Sequence, residues 1–140
     1  MNEYDLQEQL FERFKTLNEF SGIEFLTDKN VYYVNENFTK PSDCRWFEVS
    51  FMCNEPKPVS SFGDAQDRYT GILQIDVCTP LNKGESESKA KCTWIKKLFG
   101  RGATFGDITV NSCSISSKEE QSDHLRTTVR VNWDADIDKE

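Results

Sequence analysis

The stretch from His124 to Asp136 alternates strictly. Leu125, Thr127, Val129, Val131 and Trp133 fall on one side of an extended chain, and His124, Arg126, Thr128, Arg130 and Asn132 fall on the other. A period of two held this long marks a β-strand with one face in a core and the other toward water. This strand closes a series of strands grouped with helical segments, and none of them carries a catalytic signature. The chain reads as built to assemble, not to react.

The other elements follow from the same periodicities. Leu6, Leu10, Phe14 and Leu17 repeat at helical spacing with Phe11 beside them, which predicts an amphipathic helix over residues 3–18 ending near Ser21-Gly22. Asn2 is the expected cap, with Asp5 in the first turn. Val31–Val34 is a short run of β-formers, and Asn35–Asp43 a loop. From Arg45 to Cys53, Phe47, Val49, Phe51 and Cys53 share one face, while Trp46, Glu48, Ser50 and Met52 share the other. Asn54–Arg68, rich in Pro, Ser and charge, reads as one long loop, a length often tied to function. Tyr69–Val77 is a strand with Tyr69, Gly71, Leu73, Ile75 and Val77 inward. A second amphipathic helix spans Glu85–Phe99 with Gly100 as its cap, followed by a Gly-rich turn and a strand over Asp107–Ile115. Ser116–Asp123 is read as a charged turn, and Asp134–Glu140 as a solvated acidic tail. This order predicts an α+β fold: a mainly antiparallel β-sheet flanked by two amphipathic helices, in a single domain over residues 1–140.

Composition narrows the function. The ten Phe, four Tyr and three Trp can fill a core, and the formal net charge is −7. That charge argues against a general phosphate-binding surface, which needs clustered Lys and Arg. Five cysteines (Cys44, Cys53, Cys78, Cys92, Cys113) form an odd set with no Cys-x-x-Cys pair. The N-terminal residues carry no apolar run, so no signal peptide is expected, and no stretch is long and apolar enough to span a bilayer. A reducing cytoplasmic folding site is the simplest expectation.

Each candidate for chemistry has a plainer alternative. The cysteines lack the close spacing of zinc ligands and read as buried thiols. His124 is the single histidine and reads as a solvent-facing strand residue. Gly100–Gly106 has the glycines of a phosphate loop, but it follows a helix and precedes a strand, the reverse of a dinucleotide fingerprint. Asp134, Asp136 and Asp138 alternate like the start of a calcium loop without its Gly and distal Glu. Asn37-Phe38-Thr39 matches a glycosylation acceptor only by chance. No catalytic, cofactor or metal residue is therefore assigned. What survives is a set of interface candidates: the aromatics Trp46, Phe62 and Phe105, the loop charges Lys57, Asp64 and Arg68, Arg101 in the Gly-rich turn, and Arg126 and Arg130 on the closing strand. Aromatics and arginine are enriched at protein interfaces.

Three stretches carry a resemblance. They are the N-terminal helix with Asn30-Val-Tyr-Tyr-Val-Asn-Glu-Asn-Phe38, Pro41 and Arg45-Trp-Phe-Glu-Val-Ser-Phe51; Arg68-Tyr-Thr-Gly-Ile-Leu-Gln-Ile-Asp-Val77 leading through Pro80 and Gly84; and Leu125-Arg-Thr-Thr-Val-Arg-Val-Asn-Trp-Asp-Ala-Asp136. Together they resemble the small tail terminator proteins of long-tailed bacteriophages, of the lambda tail-terminator type. The resemblance implies a non-enzymatic virion protein of the siphovirus kind, assembled in the bacterial cytoplasm. It implies a hexameric ring on the head-proximal end of the tail tube, with the tube protein and a neck protein as partners. DNA would pass through the lumen without specific binding, and no cofactor is implied. Two rival readings stay open at this level: a neck (head-completion) protein, and a small phage-encoded monomeric binding module.

Overall fold

The computed structural model describes residues 3–34, 36–59, 66–116 and 119–138. The elements are α1 (Glu3–Lys15), α2 (Leu17–Ser21), β1 (Val31–Tyr33), β2 (Trp46–Cys53), β3 (Lys57–Pro58), β4 (Gln66–Pro80), α3 (Ser86–Leu98), β5 (Thr104–Phe105), β6 (Ile108–Ile115), β7 (Glu119–Glu120) and β8 (His124–Asp138). The eight strands form one sheet in the order β1-β2-β4-β8-β6-β5, with β3 on β4 and β7 on β8. Every pairing is antiparallel except β1 with β2. This is the expected α+β class.

The core lies between the helices and one face of the sheet. Leu6, Leu10, Phe14 and Leu17 are fully buried, as their spacing requires, and α3 adds Cys92, Ile95 and Leu98. They meet Phe47 and Val49 of β2, Leu73, Ile75 and Val77 of β4, Ile108 and Val110 of β6, and Val129, Val131 and Trp133 of β8. The ring edge of Phe14 meets Phe47 at 5.8 Å. Burial of this order, at about 25 cal/mol per Å² of apolar surface, is what holds a sheet and helices together.

Gly71 is required by packing. Cross-strand, it faces Cys53 on β2 and Trp133 on β8. A Cβ there would lie 2.1 Å from the Met52 carbonyl oxygen and 2.7 Å from Cζ2 of Trp133. The bare glycine lets the Trp133 ring stack on Phe51, with centroids 5.6 Å apart and planes 14° from parallel.

Several boundaries differ from the sequence expectation, each for a physical reason. The N-terminal helix bends at Thr16, whose Oγ1 donates to the Arg13 carbonyl at 2.6 Å, and then continues as α2 to a left-handed Gly22. After α3 the left-handed residue is Gly102 (φ 87°), not Gly100. Residues Asn54–Arg68 are not all loop, because Lys57–Pro58 pairs with Arg68–Asp67 as the start of a hairpin on β4. Two residues of the Gly-rich turn form β5, and Glu119–Glu120 form β7. The acidic tail is strand through Asp138, because β4 gives it a ladder partner as far as Gln66. The expected Asn2 cap lies outside the described residues.

Replacing Gly71 with Ala should destabilise the protein by about 3 kcal/mol, since a rigid carbonyl must move to admit the methyl. Urea denaturation followed by tryptophan fluorescence measures this, and an unchanged midpoint would remove Gly71 from its role.

Candidate interface on the open sheet face

The helices cover one face of the sheet. The other carries polar rows set by register: Trp46, Cys78 and Arg126; Glu48, Asp76 and Thr128; Ser50, Gln74 and Arg130; Met52, Ile72 and Asn132. Arg126 organises the first two rows. Its Nη1 donates to Glu48 Oε2 at 2.8 Å and to Asp76 Oδ2 at 2.9 Å, and its Nη2 donates to Glu48 Oε1 at 3.2 Å. Thr128 Oγ1 donates to the other Asp76 oxygen at 2.6 Å, and Trp46 Nε1 donates to Glu48 at 3.1 Å. Burial alone would raise the Glu48 carboxyl. The hydrogen bonds from Arg126 and Trp46 outweigh it and hold the group below the ordinary range. The hydrogen bond to Glu48 pushes the Arg126 guanidinium up.

The network continues to the end of the sheet. His124 Nδ1 meets Asp123 Oδ1 at 2.6 Å, and its Nε2 lies 3.4 Å from Arg126 Nη2. Its ring packs on Trp46 with centroids 4.6 Å apart. His124 is therefore buried, not the solvent-facing residue its position suggested, because Trp46 and the 36–44 loop close over the strand end. Lys40 in that loop pairs with Asp123 and sits over the Trp46 ring. Hydrogen bonds from Lys40 and His124 lower the Asp123 carboxyl to about 2. Tyr32, Phe38, Trp46 and Arg126 help line a shallow open pocket of about 320 Å³ here.

The sequence candidates divide between two places. Lys57, Arg68, Arg126, Arg130 and Trp46 come to the open face or the hairpin at its end. Arg68 is held by Asp136 in a two-pronged pair at 2.7 and 3.0 Å, and Arg130 Nε donates to Gln74 at 3.3 Å. Trp46 is only 3% exposed, so it serves as a wall inside the chain and not as an exposed anchor. Phe105 belongs to the helix side. It meets Phe99 at 6.0 Å, with the Arg13 guanidinium 5.3 Å above its ring. Arg101 is exposed in the turn after α3. Phe62 and Asp64 lie outside the described residues.

Sequence reasoning missed Glu48, Asp76, Lys40 and Asp123. The available signal was the carboxylates at outward strand positions, but only the pairing register shows that they face Arg126. Met52, 54% exposed on the same face, is the side chain that most breaks its polarity.

The side chains of this face are held mainly by one another. Both His124 ring nitrogens are engaged by neighbours. Burial pushes the Cys78 thiol up to about 12 and Cys113 up to about 11, which makes both poor nucleophiles at neutral pH. Among the described residues, no three or more His, Cys, Asp or Glu side chains are grouped to hold a metal ion. Nor is any helix long and apolar enough to cross a membrane.

The network makes a pH prediction. Glu48 titrates below its usual value of 4.5 in the folded protein, so its stabilising contribution is full above that value and is lost as pH falls through the lowered one. In Arg126→Leu, two partly buried carboxylates face each other without a cation. Stability at pH 7 should fall by about 3 kcal/mol, and part of it should return on acidification to about pH 5, where the parent keeps its full Glu48 contribution. Urea melts at the two pH values read the sign, and parallel behaviour of parent and variant would exclude the network as a source of stability.

A family model described as phage tail terminator protein matches residues 7–133. No curated protein matches the sequence. One solved structure superposes with a TM-score of 0.67 at 18% identity, covering 96% of this chain and 98% of its own, a likeness of fold alone. With a match that runs over residues 7–133, from within α1 to within β8, the chain belongs to the phage tail terminator family.

Proposed function

We propose that this protein, acting as one domain over residues 1–140, closes the head-proximal end of a finished tail tube as a hexameric ring. The family match over residues 7–133 carries the reading, and it makes the protein a structural component of the phage tail. A tube rim binds the next ring of subunits. A terminator matches that rim on one side and presents a different surface on the other, so growth stops and a neck protein can join. Each subunit contact can be weak, because copies engaged together gain through effective concentration.

The charge distribution fits this role. The net charge of −7 suits a ring through which DNA passes without adhering. On the open face, Arg68 is ion-paired with Asp136 and Arg126 with Glu48 and Asp76, while Arg130 bonds the neutral Gln74. With two of these three arginines ion-paired, the face is a poor phosphate grip. The functional partners are then the tube protein, the neck protein and further copies of this chain, and no cofactor takes part. Folding in the bacterial cytoplasm precedes assembly into the virion.

A phage lacking this gene should produce tails of uncontrolled length that fail to join filled heads, and expression of the gene in trans should restore uniform tails. Electron microscopy of lysates reads both outcomes, and of purified tails should show a six-fold ring at the head-proximal end. Normal-length tails beside leaking heads would assign the protein to the neck instead.

A further inference from the structure

Two unlike surfaces lie at the same level on opposite flanks of the sheet. β4 pairs with β8 along its whole length, so β3, which meets β4 at Lys57↔Arg68, must lie on the flank that β2 occupies further along. One residue on from Arg68, Tyr69 faces Ala135 of β8, and Ala135 faces Ile108 of β6. Ile108 in turn pairs with Phe105 of β5, the last strand on the far flank. Lys57 and Phe105 thus stand at nearly the same height, across the full width of the sheet.

The first surface is an arm. Glu55-Pro56-Lys57-Pro58-Val59 has two prolines, which fix φ and remove N–H donors, so the arm is stiff and cannot recruit another strand by its backbone. It must be read through side chains, and Lys57 and Val59 are both exposed.

The second surface is an open groove of about 520 Å³ between α1 and the β5–β6 turn. Phe105 and Gly106 form its floor, and Asp5, Glu8 and Glu12 lie along its rim, on one side of α1 by their spacing. Arg13 is the one cation among the described residues lining it. Its guanidinium is turned inward, over the Phe105 ring and onto the Leu98 carbonyl at 3.2 Å. The far wall is fixed by Gln9, which accepts the Asp107 backbone N–H at 3.2 Å. Gly106 turns the chain there with a left-handed φ of 57°, a conformation that favours glycine.

A head-to-tail ring requires two different, complementary patches at one height on opposite sides of the subunit. The arm, which exposes Lys57 and Val59 beside Glu55, and the groove, with Asp5, Glu8 and Glu12 around Phe105, meet that requirement. We infer that Lys57 and Val59 of one copy seat in the α1–Phe105 groove of the next copy. Lys57 meets Glu8 on the rim, where Glu12 is paired with Lys15 at 3.1 Å, and Val59 lies against Phe105. The contact rests on the ring reading above and adds the residues that close it.

The test uses the full chain in assembled tails. A Lys57→Cys, Glu8→Cys double variant treated with a short bismaleimide should give a ladder of linked multiples on a denaturing gel, and each single variant, which controls for the native cysteines, should give none. Lys57→Glu and Glu8→Lys should each lower the yield of head-joined, length-controlled tails roughly tenfold, with the double reversal restoring it. Rings seen at the tail end without a ladder, with harmless reversals, would overturn this contact and leave the ring standing. Wild-type tails that carry no ring would end both.

Discussion

The pairing of β4 with β8 is the interaction on which the rest of the structure depends. Two fifteen-residue strands run antiparallel in unbroken register from Gln66↔Asp138 to Pro80↔His124. Because the side-chain period is two, a slip of one residue would send Val129, Val131 and Trp133 to water and Arg126 and Arg130 into the core. The apolar sets of both strands fix the register, and Gly71 fits only opposite the ring that needs its missing Cβ. The other strands are placed by this pair: β2 and β3 on the β4 side, β6, β5 and β7 on the β8 side.

One consequence is a clean division of labour between the two faces. The helix face is held by apolar burial, which is insensitive to direction. The open face is held by Arg126 and its two carboxylates, which are highly directional. The same register that buries Val77 beside Thr127 sets Asp76 beside Thr128. The two arginines that are ion-paired on this face, Arg68 and Arg126, spend their charge on carboxylates of the same sheet.

The periodic elements are legible in the sequence. The N-terminal stripe Leu6, Leu10, Phe14 and Leu17, the alternation of β2 and β8, and the helix over Ser86–Leu98 all appear where their patterns put them. The misreadings fall where local sequence and long-range pairing disagree. Asp134, Asp136 and Asp138 look like a solvated tail, yet Thr70, Arg68 and Gln66 supply them with a ladder. Lys57-Pro58 looks like loop and is strand because Arg68 and Asp67 lie beside it. His124 looks exposed and is buried because a loop distant in sequence brings Lys40 over Trp46. The side chains of Asn18 and Asn30 bind the 25–27 segment through its backbone, a clamp that no local pattern announces.

What the sequence by itself determined is the set of elements and their buried sides, since hydrophobic periodicity is a local property that any window of the chain displays. The same spacing of ordinary residues also carried the family resemblance. Only the tertiary structure decided which carboxylate meets which arginine, that Trp46 is a wall and not an anchor, and that the Lys57 arm and the Phe105 groove share one level. Those are relations between strands far apart in the chain. They exist only once register is set, and register is a property of pairs of strands that neither strand contains alone.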